Sequence, residues 1–217
     1  MLPLIFTLAL NAPAPPAPAE GTYTYVSTMN GTTIGKTAIT VKHDAGGVVL
    51  TESGGGSFNG ESGTISDTLR LDETLAPAAY DESAVIDGRT MKASLAFKGN
   101  TATETGDAGS KSYDLAATGK HFVVLDFGPF SGWFAFPAQM AAWNDEPAIA
   151  IVPAMAHGIP VAPAPAPAAA RPKNVPAGDQ AIGVAQPVTF TVWYDPKTLV
   201  VDRVEIPVQG VVFTRQP

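Results

Sequence analysis

The chain has 217 residues, no cysteine and a formal net charge of −7, from 13 basic and 20 acidic side chains. That length suits one domain able to bury a core unaided, and the absence of cysteine excludes a disulfide framework, a thiolate metal site and a cysteine-borne lipid anchor. Acidic charge without a basic cluster argues against nucleic acid and against anionic membrane surfaces as partners.

The first 19 residues read as a secretory signal or, failing that, an apolar Pro-rich tail. An apolar run over 2–10 passes into an Ala/Pro stretch with small residues at Ala17 and Ala19 ahead of Glu20, the form of an Ala-x-Ala cleavage site. No Lys or Arg precedes Lys36, which departs from the usual charged start. The reading predicts a mature chain beginning near Glu20 and a periplasmic or extracellular bacterial location. The run is about half the ~20 residues that a bilayer demands, so no transmembrane span is expected.

From residue 22 onward, short alternating runs separated by Gly, Asn and Asp predict antiparallel strands. Thr37, Ile39 and Val41 share one face of a strand; so do Met91, Ala93, Leu95 and Phe97, and Ile65, Leu69 and Leu71. Asn30-Gly31 and Asp87-Gly88 suit two-residue type I′ turns. Pro137, an Ala-rich body and the spacing of Phe136, Met140 and Trp143 predict a short amphipathic helix over 137–143. Residues 159–178 hold Pro160, Pro163, Pro165, Pro167, Pro172 and Pro176, and predict a stiff exposed arm of polyproline II character that adds little to stability. Residues 188–214 return to strands, with Val188, Phe190, Val192 and Tyr194 on one face. The expected fold class is therefore all-β with minor α: one β domain over 20–217, a single antiparallel curved sheet forming a half-barrel or flattened barrel, with one short helix and a Pro/Ala insertion at 159–178.

The string Val-Trp-Tyr-Asp-Pro-Lys-Thr-Leu-Val-Val-Asp-Arg-Val-Glu at 192–205 resembles a hairpin of the periplasmic lipoprotein-carrier-like half-barrels. The resemblance covers that hairpin alone. It implies a curved sheet wrapped over a helix around an apolar groove for acyl chains. The chain departs from that family in having one helix instead of several, and in its Pro-rich insertion.

Catalytic signals are absent. Ser57 and Ser131 both miss the Gly-x-Ser-x-Gly spacing of a nucleophile elbow, and His43, His121 and His157 lie too far apart in sequence for a paired metal motif. Asn144, Asp145 and Glu146 read as a helix-ending turn without the Ca²⁺ loop signature. No cofactor is expected, and the protein reads as non-enzymatic. Six aromatics, Phe122, Phe127, Phe130, Trp133, Phe134 and Phe136, crowd fifteen residues. With Met140 and Trp143 behind them, the candidate ligand-binding set is Phe127, Phe130, Trp133, Phe134, Phe136, Met140 and Trp143; the competing demand on the same side chains is core filling. Two function classes follow: a binder of a hydrophobic small molecule, lipid or acyl chain, or an envelope interaction module that meets a protein partner through the Pro-rich arm or a sheet edge. A hydrolase accessory domain is a third, weaker alternative.

Overall fold

Alternating side chains and tight turns produce a run of antiparallel strands: β1 (Gly21–Met29), β2 (Thr32–Asp44), β3 (Gly47–Phe58), β4 (Glu61–Leu71), β5 (Pro77–Ile86), β6 (Arg89–Lys98), β7 (Thr101–Gly106) and β8 (Gly109–Asp114). The computed structural model describes residues 16–58, 61–107, 109–114, 120–126, 128–153, 157–166, 171–185 and 188–217. Residues 1–15 of the expected signal segment 1–19, and Phe127, lie outside these. Asn30 and Gly31 take φ of 48° and 81°, and Asp87 and Gly88 take 49° and 75°. Those left-handed pairs are what a type I′ turn needs to match the twist of its strands.

After β8 the rhythm changes. A four-residue strand β9 (His121–Val124) leads into helix α1 (Ser131–Ala142), then β10 (Ala148–Val152) and β11 (His157–Val161). β9 and β10 pair in parallel, Ala148 opposite His121, while β11 joins β10 antiparallel. A parallel pair with its crossover helix breaks the expected all-antiparallel meander. Its sequence signal is the unbroken apolar run Ala148–Val152, buried at every position, because a strand covered on both faces loses the alternation.

The remaining strands are β12 (Pro163–Pro165), β13 (Gln180–Val184), β14 (Phe190–Tyr194), β15 (Val201–Ile206) and β16 (Val211–Arg215). Because β16 pairs with β1, the large sheet runs β12-β13-β14-β15-β16-β1-β2-β3-β4-β5-β6-β7-β8, thirteen strands without a closing pair between β8 and β12. The expected all-β curved sheet is present and stays open. α1 touches β3 and β4 on one side and β14 and β15 on the other, so the sheet curls around the helix.

Two expectations need correction. The helix spans Ser131–Ala142, not 137–143, and it is not amphipathic, since every residue from Ser131 to Met140 is buried. The large sheet and the small one cover it together, and a helix covered all round needs no polar face. Pro137 lies inside it, so the backbone bond to the Trp133 carbonyl is missing. Gly132 is required by packing: a Cβ there would collide with the carbonyl of Val124 on β9. The Pro/Ala segment, in turn, is not a free arm. Its first part supplies β11 and β12, each an edge strand of its own sheet, where a proline's missing donor costs nothing. Residues 171–179 then fold back over β14. The Arg171 guanidinium sits 5.3 Å from the Trp193 ring, and Val175 is buried. Trp193 alternates with the core-facing Val192 and Tyr194, yet is itself only 3 % exposed.

The N-terminal residues before β1 also pack. Ala19 donates its N–H to the Thr198 carbonyl at 2.8 Å, the Pro18 carbonyl lies 2.8 Å from His43 Nε2, and Ala17 and Ala19 rest against the core.

Candidate functional site

An open cleft lies beside the helix, along β2 to β5. Gly35, Gly56 and Gly63 stand opposite one another across β2, β3 and β4, with Ile86 of β5 next in the row. Gly54 and Gly55 widen this strip. A Cβ on Gly56 would collide with the Ile34 carbonyl, one on Gly35 would come within 2.9 Å of the Gly55 carbonyl, and one on Gly63 within 2.9 Å of that of Val85. The strands coil so tightly that only glycine fits, and the lack of side chains leaves a cleft of about 230 Å³. Its walls are Ile34, Ile65, Ala84, Ile86, Phe213 and Gly128; Lys36, Glu61, Ser27, Ser57, Thr37 and Glu52 supply the polar groups.

Glu52 connects the cleft to a buried carboxyl ladder. Beyond the row of Thr37, Gly54, Ile65 and Ala84 on the same face, Ile39, Glu52, Asp67, Glu82 and Ala93 stand opposite one another across β2 to β6. Glu52 and Asp67 are each only 4 % exposed. Glu52 Oε1 accepts the Thr37 hydroxyl at 2.5 Å, and Oε2 accepts the backbone N–H groups of Phe130 and Ser131 at 2.5 and 3.1 Å. Helix α1 has no side-chain cap and no acid in its first turn, so a carboxylate from β3 satisfies the orphan donors and meets the positive end of the helix dipole. Asp67 Oδ2 accepts the Ser131 hydroxyl. Burial, followed by the charge of Glu52, drives the Asp67 carboxyl far above its ordinary range. Asp67 Oδ1 has no donor against it, so the pair is satisfied when Asp67 keeps a proton and donates it in a hydrogen bond to Glu52, filling the fourth acceptor position of that carboxylate. Glu82 hydrogen-bonds Asp126 and accepts the Tyr80 hydroxyl at 3.2 Å. Burial and then Asp126 push Glu82 up to about 8.

The aromatic set predicted from sequence lies elsewhere. Phe130, Phe134, Phe136 and Met140 are fully buried, Trp133 is 2 % exposed and Trp143 7 %. Tyr25 packs on Phe130 at 4.5 Å, Phe130 on Phe213 at 4.6 Å, and Trp133 and Phe136 both meet Phe190 edge-on at 4.9 and 5.4 Å. Trp133 Nε1 donates to the Asp126 carbonyl at 2.5 Å. Trp133 borders a void of about 20 Å³, shared with Leu125, Ala150 and Phe190 among others. These side chains fill space, and their volume is the reason: large rings close the interior that glycines leave open. Sequence reasoning passed over the glycine strip. The signal was there in Gly54-Gly55-Gly56 inside a strand, since interior glycines mark close backbone approach.

His43 and His121 serve separate contacts. His121 stacks on Trp143 at 4.2 Å and pairs with Glu146, and His43 holds the Pro18 carbonyl. Asn144 and Asp145 take φ of 52° and 56° in the turn after the helix. Among the described residues no group of three His, Cys, Asp or Glu is placed to hold a metal ion, and no helix is long and apolar enough to cross a membrane.

No family model matches the chain, and no curated protein matches it. Among solved structures it is similar to a DUF1089 family protein from Pseudomonas aeruginosa, at 10% identity and a TM-score of 0.51, over 95% of this chain and 98% of that one. The likeness is one of fold.

Proposed function

We propose that the protein is an exported, non-enzymatic binder of an apolar molecule or acyl chain, which it takes into the glycine-floored cleft. The observation that carries this reading is an open, largely apolar cleft in a concave sheet whose remaining interior is packed with rings. The resemblance of the 192–205 hairpin to lipoprotein carriers supports the same reading. Burying ligand surface against Ile34, Ile65, Ile86 and Phe213 supplies about 25 cal/mol per Å². At about 230 Å³, the cleft is smaller than the ~300–1,000 Å³ of drug-sized sites, which suits a short apolar group or the end of a chain.

Titration with the neutral fluorophore N-phenyl-1-naphthylamine tests it. The wild type binds the probe, and Ile65→Trp, which fills the cleft from a half-exposed position, weakens binding at least about tenfold, or 1.4 kcal/mol, while folding normally. A wild type that leaves the probe free, or an Ile65→Trp protein that binds it equally well, overturns the cleft as a binding site.

A further inference from the structure

The start of the cleft wall on the helix side is tied to the carboxyl ladder by hydrogen bonds, and Phe130 is also packed between Tyr25 and Phe213. Gly128 lines the cleft. Phe130 stacks on Phe213, another wall residue, and the Phe130 and Ser131 amides both end on Glu52. The Ser131 hydroxyl ends on Asp67. Residues 128–131 are thus a strap that ties one wall to β3 and β4 through carboxylate oxygens. The helix lends no cap of its own to this join.

We propose that Glu52, Asp67 and Glu82 gate the cleft: when the ladder loses its shared protons, the strap at 128–131 lets go of β3 and β4 and the bound apolar ligand is released. This rests on the cleft reading above and adds its regulation.

The geometry supplies the force. Glu52, Asp67 and Glu82 are direct neighbours on adjacent strands, where like charges repel, and Asp126 adds a fourth carboxyl beside Glu82. The groups facing them from the flanking strands bring hydroxyl donors but no positive charge: β2 presents Thr37 and Ile39, β5 presents Tyr80, and β6 presents Ala93 in the same row. The charges acting most strongly on Asp67 come from Glu52 and Glu82, and those on Glu82 from Asp126 and Glu52, so Asp67 and Glu82 both hold their protons more tightly. With the protons present, a neutral Asp67 donates to Glu52 and the row is a hydrogen-bonded ladder. Without them, buried Glu52 and Asp67 and half-buried Glu82 place adjacent negative charges where water screens them poorly. The cheapest relief is for the strap to move and admit water.

The test measures two things on the full chain. Hydrogen exchange of the 128–134 amides, corrected for intrinsic base catalysis, is expected to speed up about tenfold between pH 5 and pH 9 in the wild type, and N-phenyl-1-naphthylamine binding to weaken about tenfold over the same span, 1.4 kcal/mol in each case. Asp67→Asn keeps a hydrogen-bonding group of the same shape but cannot charge, so both responses shrink to about threefold or less. Glu82→Gln is the independent second variant, and shrinks them in part. Exchange at 128–134 that ignores pH in the wild type overturns the gate, as does an Asp67→Asn protein, or a Glu82→Gln protein where the first does not fold, that responds like the wild type. A strap that responds to pH while the probe binds at no pH keeps the gate and overturns the cleft reading instead. Probe binding that stays constant while the strap loosens overturns the coupling between them.

Discussion

Two regions under the same curved sheet treat apolar surface in opposite ways. Around α1, Trp133, Phe134, Phe136 and Phe190 leave a void of only about 20 Å³; beside it, Gly35, Gly54, Gly55, Gly56 and Gly63 leave an open cleft bounded by isoleucines. Both regions are apolar, and only one has room for a guest. Side-chain volume, and not hydrophobicity, decides which part of a concave sheet becomes core and which becomes cavity.

The packed region is where a substitution should cost most. Trp133→Ala is expected to lose about 3 to 5 kcal/mol in chemical denaturation, the sum of lost burial and a cavity that its neighbours cannot refill. A loss under about 1.5 kcal/mol would mean that Trp133 stands beside usable space, and the contrast between the two regions would fail.

In the glycine strip the expected damage comes from adding atoms. Gly56→Ala forces a methyl group against the Ile34 carbonyl and should cost about 1 to 3 kcal/mol with loss of probe binding, since strand spacing must change to admit it. An alanine that leaves both properties intact would show that the strip is looser than its backbone contacts indicate.

Stability should also follow pH, and chiefly through the ladder. Asp67 and Glu82 hold their protons in the folded protein at pH values where the unfolded chain has lost them, so the folded state binds more protons and stability falls as pH rises. For Glu82 the decline runs from its ordinary range near 4.5 to about 8, and for Asp67 it continues higher, each whole proton contributing a slope of up to about 1.4 kcal/mol per pH unit. Urea midpoints at pH 5 and pH 8 check this; Asp67→Asn should bring the two closer together, and an unchanged difference would mean that Asp67 is already charged.

Smaller effects are expected at the periphery. A chain starting at Glu20 lacks the Ala19 and Pro18 contacts to Thr198 and His43, and should melt a few degrees below one starting at Pro16, reflecting about 1 to 2 kcal/mol for two hydrogen bonds and the buried Pro18. Arg171→Ala should cost less, about 0.5 to 1 kcal/mol, which is the usual worth of an exposed cation over an aromatic face. Equal melting temperatures for either pair would show that the segment rests on the domain without holding it.

The strands were legible because their physics is local. Ile39, Val41, Leu69 and Leu71 are buried as the period of two requires, and the Asn-Gly and Asp-Gly turns fold as their chemistry dictates. Met91, assigned to the same inward face as Leu95, is 47 % exposed, because the strand runs out beyond whatever covers its middle. Trp193 errs in the other direction, an outward residue hidden by a segment twenty residues upstream. The helix, the parallel pair and the carboxyl ladder depend on contacts between distant parts of the chain. Glu52, Asp67 and Glu82 occupy ordinary alternate positions in three strands, and only the register sets them side by side. The cleft falls between these cases: its glycines were visible in the sequence, while their alignment across β2, β3 and β4 was not.

The pairing of β1 with β16 has a consequence for how the protein is made. Those two strands sit near the middle of the thirteen-strand sheet, though one is the first strand of the described residues and the other the last. During synthesis β1 to β8 can zip up as neighbouring hairpins, but that sheet keeps a bare inner edge along β1 until Val211–Arg215 arrives nearly two hundred residues later. Such a long-range closure makes for slow folding, and an unpaired, flat β1 invites the wrong strand in the interval. A nascent chain of this design gains from a chaperone that shields β1, and a premature stop before residue 211 would leave a sheet split through its centre instead of one trimmed at its margin.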